Sequence, residues 1–537
     1  MGIPSFFSHI VKNNPEIIKK IHKLKKKIDN IYLDSNSIIY DCLRDILSKK
    51  IEINDDKLEK ILCENVCLKL NDYILDIKPQ KTVFIAFDGV APVAKLDQQR
   101  NRRYKSILEE KILKKLDPNR KKKWNKTAIT PGTKFMKNLN NKIKNYFLPS
   151  QKNNRDYEII ISGSDEIGEG EHKIFEYIRN NRKKHKHEIT LIYGLDADLI
   201  MLCLNHLPIS KNIYLYRETP EFIKSINRDL NPNENYILDI PQLSREIISK
   251  MNNGFAFKND VQQNNRLYDY ILICFFLGND FLPHFPAINI RTTGIHKMMN
   301  AYRNTIGKSN KNLTDGKKIN WKNLHILIDY LQKDEWKYIM EEYQNLKKWG
   351  KRSYSFKTLD DKMERYLNIP SKNRDIENYI NPQEPNWQKR YYNTLFNSNE
   401  TKSLKKNVSM SYLEGLEWVM SYYTTGCKDW RWSYNYNYPP LLEDLIKYIP
   451  MWDTEMLEKK ECNPVTPTVQ LAYVLPKESS YLLEKDIIDK LNNINHYKEN
   501  CNIYWAYCRY FWESHVEFPC LNIEKLNNEI INLNTIL

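Results

Sequence analysis

Four carboxylates are crowded into one short stretch of the chain. SGSDEIGEGEHKIFEYIR carries Glu169 and Glu171, and after a polar gap EITLIYGLDADLIMLCL carries Asp196 and Asp198. Held together, such groups repel and raise one another's pKa values unless something positive neutralises them. Oxygen donors with no matching His or Cys set suit Mg²⁺ or Mn²⁺ better than zinc. The competing explanation is local: glutamates in a first helical turn are favoured by the helix dipole, and an aspartate at Asp196 can cap a turn. That explanation serves each acid alone and serves all four together poorly.

The elements that would position them can be read from the same residues. Gly168 and Gly170 free the backbone just before a helix near His172, which puts Glu169 and Glu171 at its mouth. ITLIYG reads as a short buried strand with the two aspartates of LDAD at its carboxyl end, the place where open α/β sheets bind ligands. Three other apolar runs end in an acid: IDNIYLD at Asp34, TVFIAFD at Asp88 and YDYILICFFLGND at Asp280. Alternating strands and helices predict a mainly parallel sheet with the acids gathered along one edge. Upstream, MGIPSFFSHIVKNNPEIIKKI reads as one amphipathic helix beginning after Pro4.

The opposite charge follows Asp88. In APVAKLDQQRNRRYKS, Lys95, Gln99, Arg102 and Arg103 recur at spacings of three to four, largely one side of a helix. Two arginines that can fork onto phosphate oxygens, a lysine point charge and an amide donor make a phosphate pocket beside the acids, although a salt-bridged surface helix has the same spacing. Over the whole chain of 537 residues Lys plus Arg exceed Asp plus Glu by 83 − 67 = 16, as suits a polyanionic partner. The lysine runs KKIHKLKKK and NRKKK read as basic surface, RNA-binding edge or nuclear signal. Ten cysteines without a Cys-x-x-Cys pair read as reduced thiols and disfavour structural zinc. No apolar run is long enough to cross a membrane, no signal peptide is visible, and Phe6 stands where a myristoylation motif needs Ser or Thr. Trp321, Trp336 and Trp349 read as helix-packing residues, and Trp418 with Tyr422 follows a helical period. The WRWSYNYNYPP run has no such period, and base stacking competes with packing there.

These blocks resemble a known family. MGIPSFF, YLDSNSIIY, AFDGVAPVAKLDQQRNRRYKS, ITPGTKFM, SGSDEIGEGEHKI, YGLDADLIML and GNDFLPHFP are similar, in order, to the signature blocks of the 5′→3′ exoribonuclease (XRN) family. QKRYY, YLEGLEWVMSYYTTGCKDWRWSYNYNYPPLLEDL and PVTPTVQLAYVLPKES resemble its second conserved region. The resemblance implies an α/β fold: a mainly parallel sheet flanked by helices in a PIN-like nuclease core (residues 1–300), a helical connecting segment (301–384), and a second, mostly helical region packed against the core (385–537). It implies a processive, Mg²⁺-dependent 5′→3′ exoribonuclease that hydrolyses single-stranded RNA with a 5′-monophosphate to nucleoside 5′-monophosphates.

By the same resemblance, Asp34, Asp88, Glu169, Glu171, Asp196, Asp198 and Asp280 match the family's seven catalytic, metal-holding acids, expected to hold two Mg²⁺ ions for which Mn²⁺ can substitute. Lys95, Gln99, Arg102 and Arg103 match the pocket that reads the 5′-monophosphate. Trp430 or Trp432 corresponds to a base-stacking aromatic, and Tyr40 stands where the family has a stacking histidine. Ile167 replaces a usual proline before the GEGEH block. The expected chain is a short, monomeric member without the long C-terminal extension, cytoplasmic or nuclear, with decapping factors among its partners. Two other readings stand beside this one: a structure-specific 5′ nuclease acting on DNA flaps, and a non-catalytic RNA-binding scaffold.

Overall fold

The computed structural model describes residues 5–534 apart from 22–23, 25, 50–52, 121–123, 149–155, 218–229, 232–233, 255–258, 459, 461, 494–500 and 519–520. Gly2 and Pro4, part of KKIHKLKKK and the lysines of NRKKK lie outside the described residues.

The elements of the first half run α1 (Phe6–Asn13), β1 (Ile18–Lys20), β2 (Asn30–Asp34), α2 (Asn36–Ser48), α3 (Asp55–Ile77), β3 (Thr82–Ala86), α4 (Val93–Leu116), α5 (Lys134–Phe147), β4 (Glu158–Ser162), α6 (Gly170–Asn180), α7 (Arg182–His185), β5 (Thr190–Tyr193), α8 (Asp198–His206), β6 (Ile213–Arg217) and β7 (Tyr236–Asp239). The seven strands form one sheet in the order β1-β7-β6-β5-β2-β3-β4. β4, β3, β2, β5 and β6 are parallel, and β7 and β1 close one edge in antiparallel pairing. The chain moves outward from β2 through β3 to β4 and then returns to the other side of β2 as β5. This reversal opens a crevice at the carboxyl ends of β2 and β5, the usual ligand position in such sheets.

Alternation along the strands builds two cores. Ile31, Leu33, Val83, Ile85 and Leu191 face a layer made by α2, α3 and α5. Tyr32, Phe84 and Ile192 face the other layer, where α6 and α8 join Leu324 of the connecting segment and Trp418 of the second region in a single apolar cluster. The helical second region is thus packed directly on the sheet's helix layer. It also clasps the base of α4: Val93 N–H donates to the Trp430 carbonyl at 3.0 Å, Ala91 N–H donates to Gln470 Oε1 at 3.0 Å, and Val93 and Leu96 share a core with Val469 and Leu471.

Some local expectations are corrected. The single N-terminal helix is broken: α1 ends at Asn13, Asn14 turns to φ −145°, Pro15 opens a 3₁₀ turn, and Ile18–Lys20 becomes an edge strand. Pro15 has no N–H to continue the helix and restricts the residue before it. Trp321 is fully buried as a packing residue, but Trp336 is 56% exposed, holding only its indole N–H on the Pro382 carbonyl. The apolar run before Asp280 is a helix, Asp260–Phe275, rather than part of the sheet. Cys63 and Cys67 are buried on one face of α3, and the nine described cysteines are all free. Among the described residues no helix is long and apolar enough to cross a membrane.

Candidate active site

Each acid arrives on a separate piece of the framework. Asp34 is the last residue of β2, and Asp88 follows β3 by two residues. Glu169 is the N-cap of α6 and Glu171 lies in its first turn. Asp196 is in the β5–α8 loop, Asp198 opens α8, and Asp280 follows the helix Asp260–Phe275. The charges converge: Asp34 feels Asp88, Asp196 and Glu169, while Glu171 feels Asp196 and Asp198. Burial first, and these like charges second, hold the carboxyls of Asp34 and Glu171 well above the usual range. Asp198 is pushed up to about 7 by burial, Asp196 and Asp280.

Glu169 stands at a helix N-terminus, where the dipole favours an acid, but the dipole leaves its contacts unexplained. Its side chain makes no cap hydrogen bond and is spent on two distant residues, accepting from Tyr422 Oη at 2.8 Å and pairing with Lys95 Nζ at 2.7 Å. The Gly170 N–H is instead met from the loop after β3, by Asp88 Oδ1 accepting at 2.7 Å. Asn36 steadies Asp88 from the start of α2, its Oδ1 accepting the Asp88 N–H at 3.2 Å and its amide donating to Oδ2. Gly168 has φ +102°, a conformation side chains disfavour. Gly170 is required for space instead: a Cβ there would lie 2.7 Å from Asp34 Oδ1.

The residues of the basic helix separate. Lys95 turns into the acids and bridges Glu169 to Asp280 Oδ2, 2.8 Å away. Burial works against its charge, but Asp280 and Glu169 outweigh burial and hold the ammonium well above its usual range. In return, Lys95 overcomes burial at Asp280 and keeps that carboxyl ionised. Two turns along α4, Arg103 donates to Gln99 Oε1 at 3.3 Å and to Thr130 Oγ1 at 2.7 Å, so the ITPGT segment backs the pair. Burial and the adjacent Arg102 charge pull the Arg103 guanidinium down to about 9. Arg102 is exposed and, with Asp280, lines a cavity of about 970 Å³ between α4, the 277–286 loop and residues 431–438, 506–518 and 521–524.

Among the described residues no three His, Cys, Asp or Glu side chains close on one point as a ready-made cation cage; the Lys95 ammonium supplies the positive charge between Glu169 and Asp280. The donor set nevertheless suits a hard divalent cation. It is all oxygen, it gathers like charges that resist ionisation together, and Glu171 Oε2 is buried without a hydrogen-bond partner.

Comparison with known proteins accounts for both halves of this arrangement. The family model described as the XRN 5′-3′ exonuclease N-terminus matches residues 1–219, and the one described as the Xrn1 helical domain matches 260–354 and 340–537. The chain belongs to the XRN 5′-3′ exonuclease family. It is 28% identical to 5′-3′ exoribonuclease 1 of Saccharomyces cerevisiae over 90% of this chain and 40% of that protein. It is 29% identical to the human 5′-3′ exoribonuclease 1 over 90% of this chain and 31% of that protein, and 26% identical to 5′-3′ exoribonuclease 2 of Arabidopsis thaliana over 98% and 66%. The chain therefore spans less than half the length of the yeast relative.

The XRN helical region brings aromatic rings toward the acids. Trp432 is 8% exposed and stacked on Trp418, ring centroids 5.0 Å apart at 23°, so its faces are committed to packing. Trp430 is half-buried at the foot of α4. Tyr40, on α2, is 38% exposed and lies near Arg103. Ile167 is exposed beside the acid loop. Sequence reasoning missed Tyr422 as a site residue, because its helical spacing from Trp418 is fully explained by packing; the ring does stack there, and only its hydroxyl leaves the core.

Proposed function

We propose that the chain is a processive 5′→3′ exoribonuclease that hydrolyses single-stranded RNA bearing a 5′-monophosphate to nucleoside 5′-monophosphates, using Mg²⁺. The observation that carries this reading is the union of seven acids from separate elements with Lys95, Gln99, Arg102 and Arg103 on the one helix beside them, in a chain of the XRN family. The named activity of the relatives supports it.

The acids Asp34, Asp88, Glu169, Glu171, Asp196, Asp198 and Asp280 would hold the cations. When bound, divalent ions supply water activation and charge stabilisation for in-line displacement at a phosphodiester. The chain's own residues do the rest. Arg103, held by Gln99 and Thr130, offers a guanidinium without a carboxylate partner among the described residues for the 5′-phosphate, and Arg102 adds a second cation at the rim. Lys95 sits between pocket and acids, fixing Asp280 in its ionised form and shielding the cluster. With the 5′-phosphate anchored on α4, only the first phosphodiester bond can reach the acids, and mononucleotides leave one at a time. Trp430 and Tyr40 are the rings left with exposed area for unstacked bases. A strand that enters singly has to be peeled from any duplex at the entrance.

Chromatography of the products tests the reading. Nucleoside 5′-monophosphates from the earliest time points, and none after EDTA, are expected. Release of short oligonucleotides, or turnover unaffected by EDTA, would contradict it.

A further inference from the structure

The second region reaches Glu169 through Tyr422. Tyr422 is 3% exposed, near the end of the helix Lys402–Thr424, and its hydroxyl donates to Glu169 Oε1 at 2.8 Å across 253 residues of sequence. Glu169 Oε2 faces Lys95 Nζ at 2.7 Å. The carboxylate is thus gripped from two directions by donors on different elements. The Tyr422 ring is fixed in turn by a column of stacked rings: His172, beside Glu171, lies 3.7 Å away at 23°, Trp418 lies 4.9 Å away at 26°, and Trp432 continues the column from Trp418 at 5.0 Å. Phe281, next to Asp280, meets Trp418 and Tyr422 edge-on. The adjacent Tyr423 is buried against Asp198 and Glu171. The buried hydroxyl holds Oε1 while Lys95 holds Oε2, so the Tyr422 bond helps set the plane of the Glu169 carboxylate.

We propose that Tyr422 is a positioning residue: by holding Glu169 Oε1 it sets the orientation in which Glu169 meets a divalent cation, and this is how the helical second region serves the nuclease half. The proposal rests on the metal reading above. Outer partners of metal-ligating carboxylates typically alter affinity by about 10- to 100-fold, and the loss of one neutral donor belongs at the lower end.

The test is a Mn²⁺ titration by isothermal calorimetry on the full chain, without RNA, with thermal melts of the same samples. Tyr422→Phe removes the hydroxyl and keeps the stack; Mn²⁺ should bind about tenfold more weakly, while saturating Mg²⁺ brings RNA turnover back toward the wild-type rate with an unchanged KM for RNA. Trp418→Phe loosens the column without touching the hydroxyl and should lower Tm with Mn²⁺ affinity unchanged. In a Glu169→Gln background the carboxylate is gone, and adding Y422F should shift the affinity by less than about twofold. Equal Mn²⁺ affinity in Y422F and the wild type overturns the positioning role, as does an equal loss in W418F, which would assign the effect to packing. If Y422F is too unstable for calorimetry, the rise in its Tm on adding Mn²⁺ is compared with the parent's: a smaller rise supports the role and an equal rise overturns it. Absence of Mn²⁺ binding by the wild type itself overturns the metal reading, and the positioning role with it.

Discussion

Replacing Gly170 by alanine places a methyl group against Asp34. Gly170 opens α6 without a left-handed φ, so its backbone accepts a side chain, and alanine favours helix over glycine by up to about 1 kcal/mol. The added Cβ would lie 2.7 Å from Asp34 Oδ1, with Asp88 Oδ1 and the Ala86 carbonyl at 3.5 Å. Restoring contacts of 3.0–3.4 Å requires the Asp34 oxygen to retreat by 0.3–0.7 Å. The intruded atom is the end of a side chain, so the fold absorbs the change cheaply. A catalytic group tolerates only about 0.5 Å of displacement, and a misplacement near 1 Å costs on the order of 100-fold. G170A should therefore keep its Tm within a few degrees of the parent while cleaving 5′-monophosphorylated RNA about 10- to 100-fold more slowly. Thermal melts and initial rates on one preparation decide the matter. Wild-type turnover in G170A would refute the placement of Asp34 in the reaction, and a large fall in Tm would show that the contact matters for folding instead.

Other outcomes follow from the same geometry. Asp196→Ala or Asp198→Ala should abolish cleavage while leaving RNA affinity, measured by filter binding, largely intact. Arg102→Ala should erase the preference for a 5′-monophosphate over a 5′-hydroxyl, read as the ratio of turnover rates on the two RNAs; an unchanged ratio would move the pocket off α4. For pH, the carboxyl of Asp198 stands near 7 in the folded chain against 3.8 when free. A raised carboxyl favours the fold below about 4 and loses that contribution as pH climbs toward 7. In EDTA, Asp198→Asn should thus match the parent's Tm near pH 4, exceed it increasingly up to pH 7, and lose the advantage when Mn²⁺ is added, because the cation rewards only the parent's carboxylate.

Part of the candidate site was legible because Asp34 ends a recognisable strand and Asp88 and Asp196 closely follow two others. NIYLD and TLIY are β-branched and aromatic runs, and alternation along them fixes which residues enter each core. The helix spacing of Lys95, Gln99, Arg102 and Arg103 correctly put them on α4 but said nothing of rotation about it. Lys95 faces Asp280, 185 residues away, whereas Arg103 faces Thr130. Glycine preference misled in part, since Gly168 meets a backbone demand and Gly170 a steric one set by Asp34. The pair Trp430 and Trp432 could not be separated by pattern, because what distinguishes them is the stacking of Trp432 on Trp418. Tyr422 was invisible as a site residue for the same reason: a buried tyrosine at helical spacing carries no local sign of where its hydroxyl goes. The break at Pro15 was readable and was overridden by amphipathic periodicity.

The central claim, an exoribonuclease that reads a 5′-phosphate beside an acidic metal site, is tested most directly by a time course in Mg²⁺. Three single-stranded RNAs of one sequence, labelled at the 3′ end and bearing a 5′-monophosphate, a 5′-hydroxyl or a cap, are incubated with the full chain. Rapid loss of the monophosphorylated strand alone, with mononucleotides released and no internal cuts, is the predicted result. Internal cleavage, or equal loss of all three strands, would contradict it and reduce Lys95 to Arg103 to an ordinary basic helix.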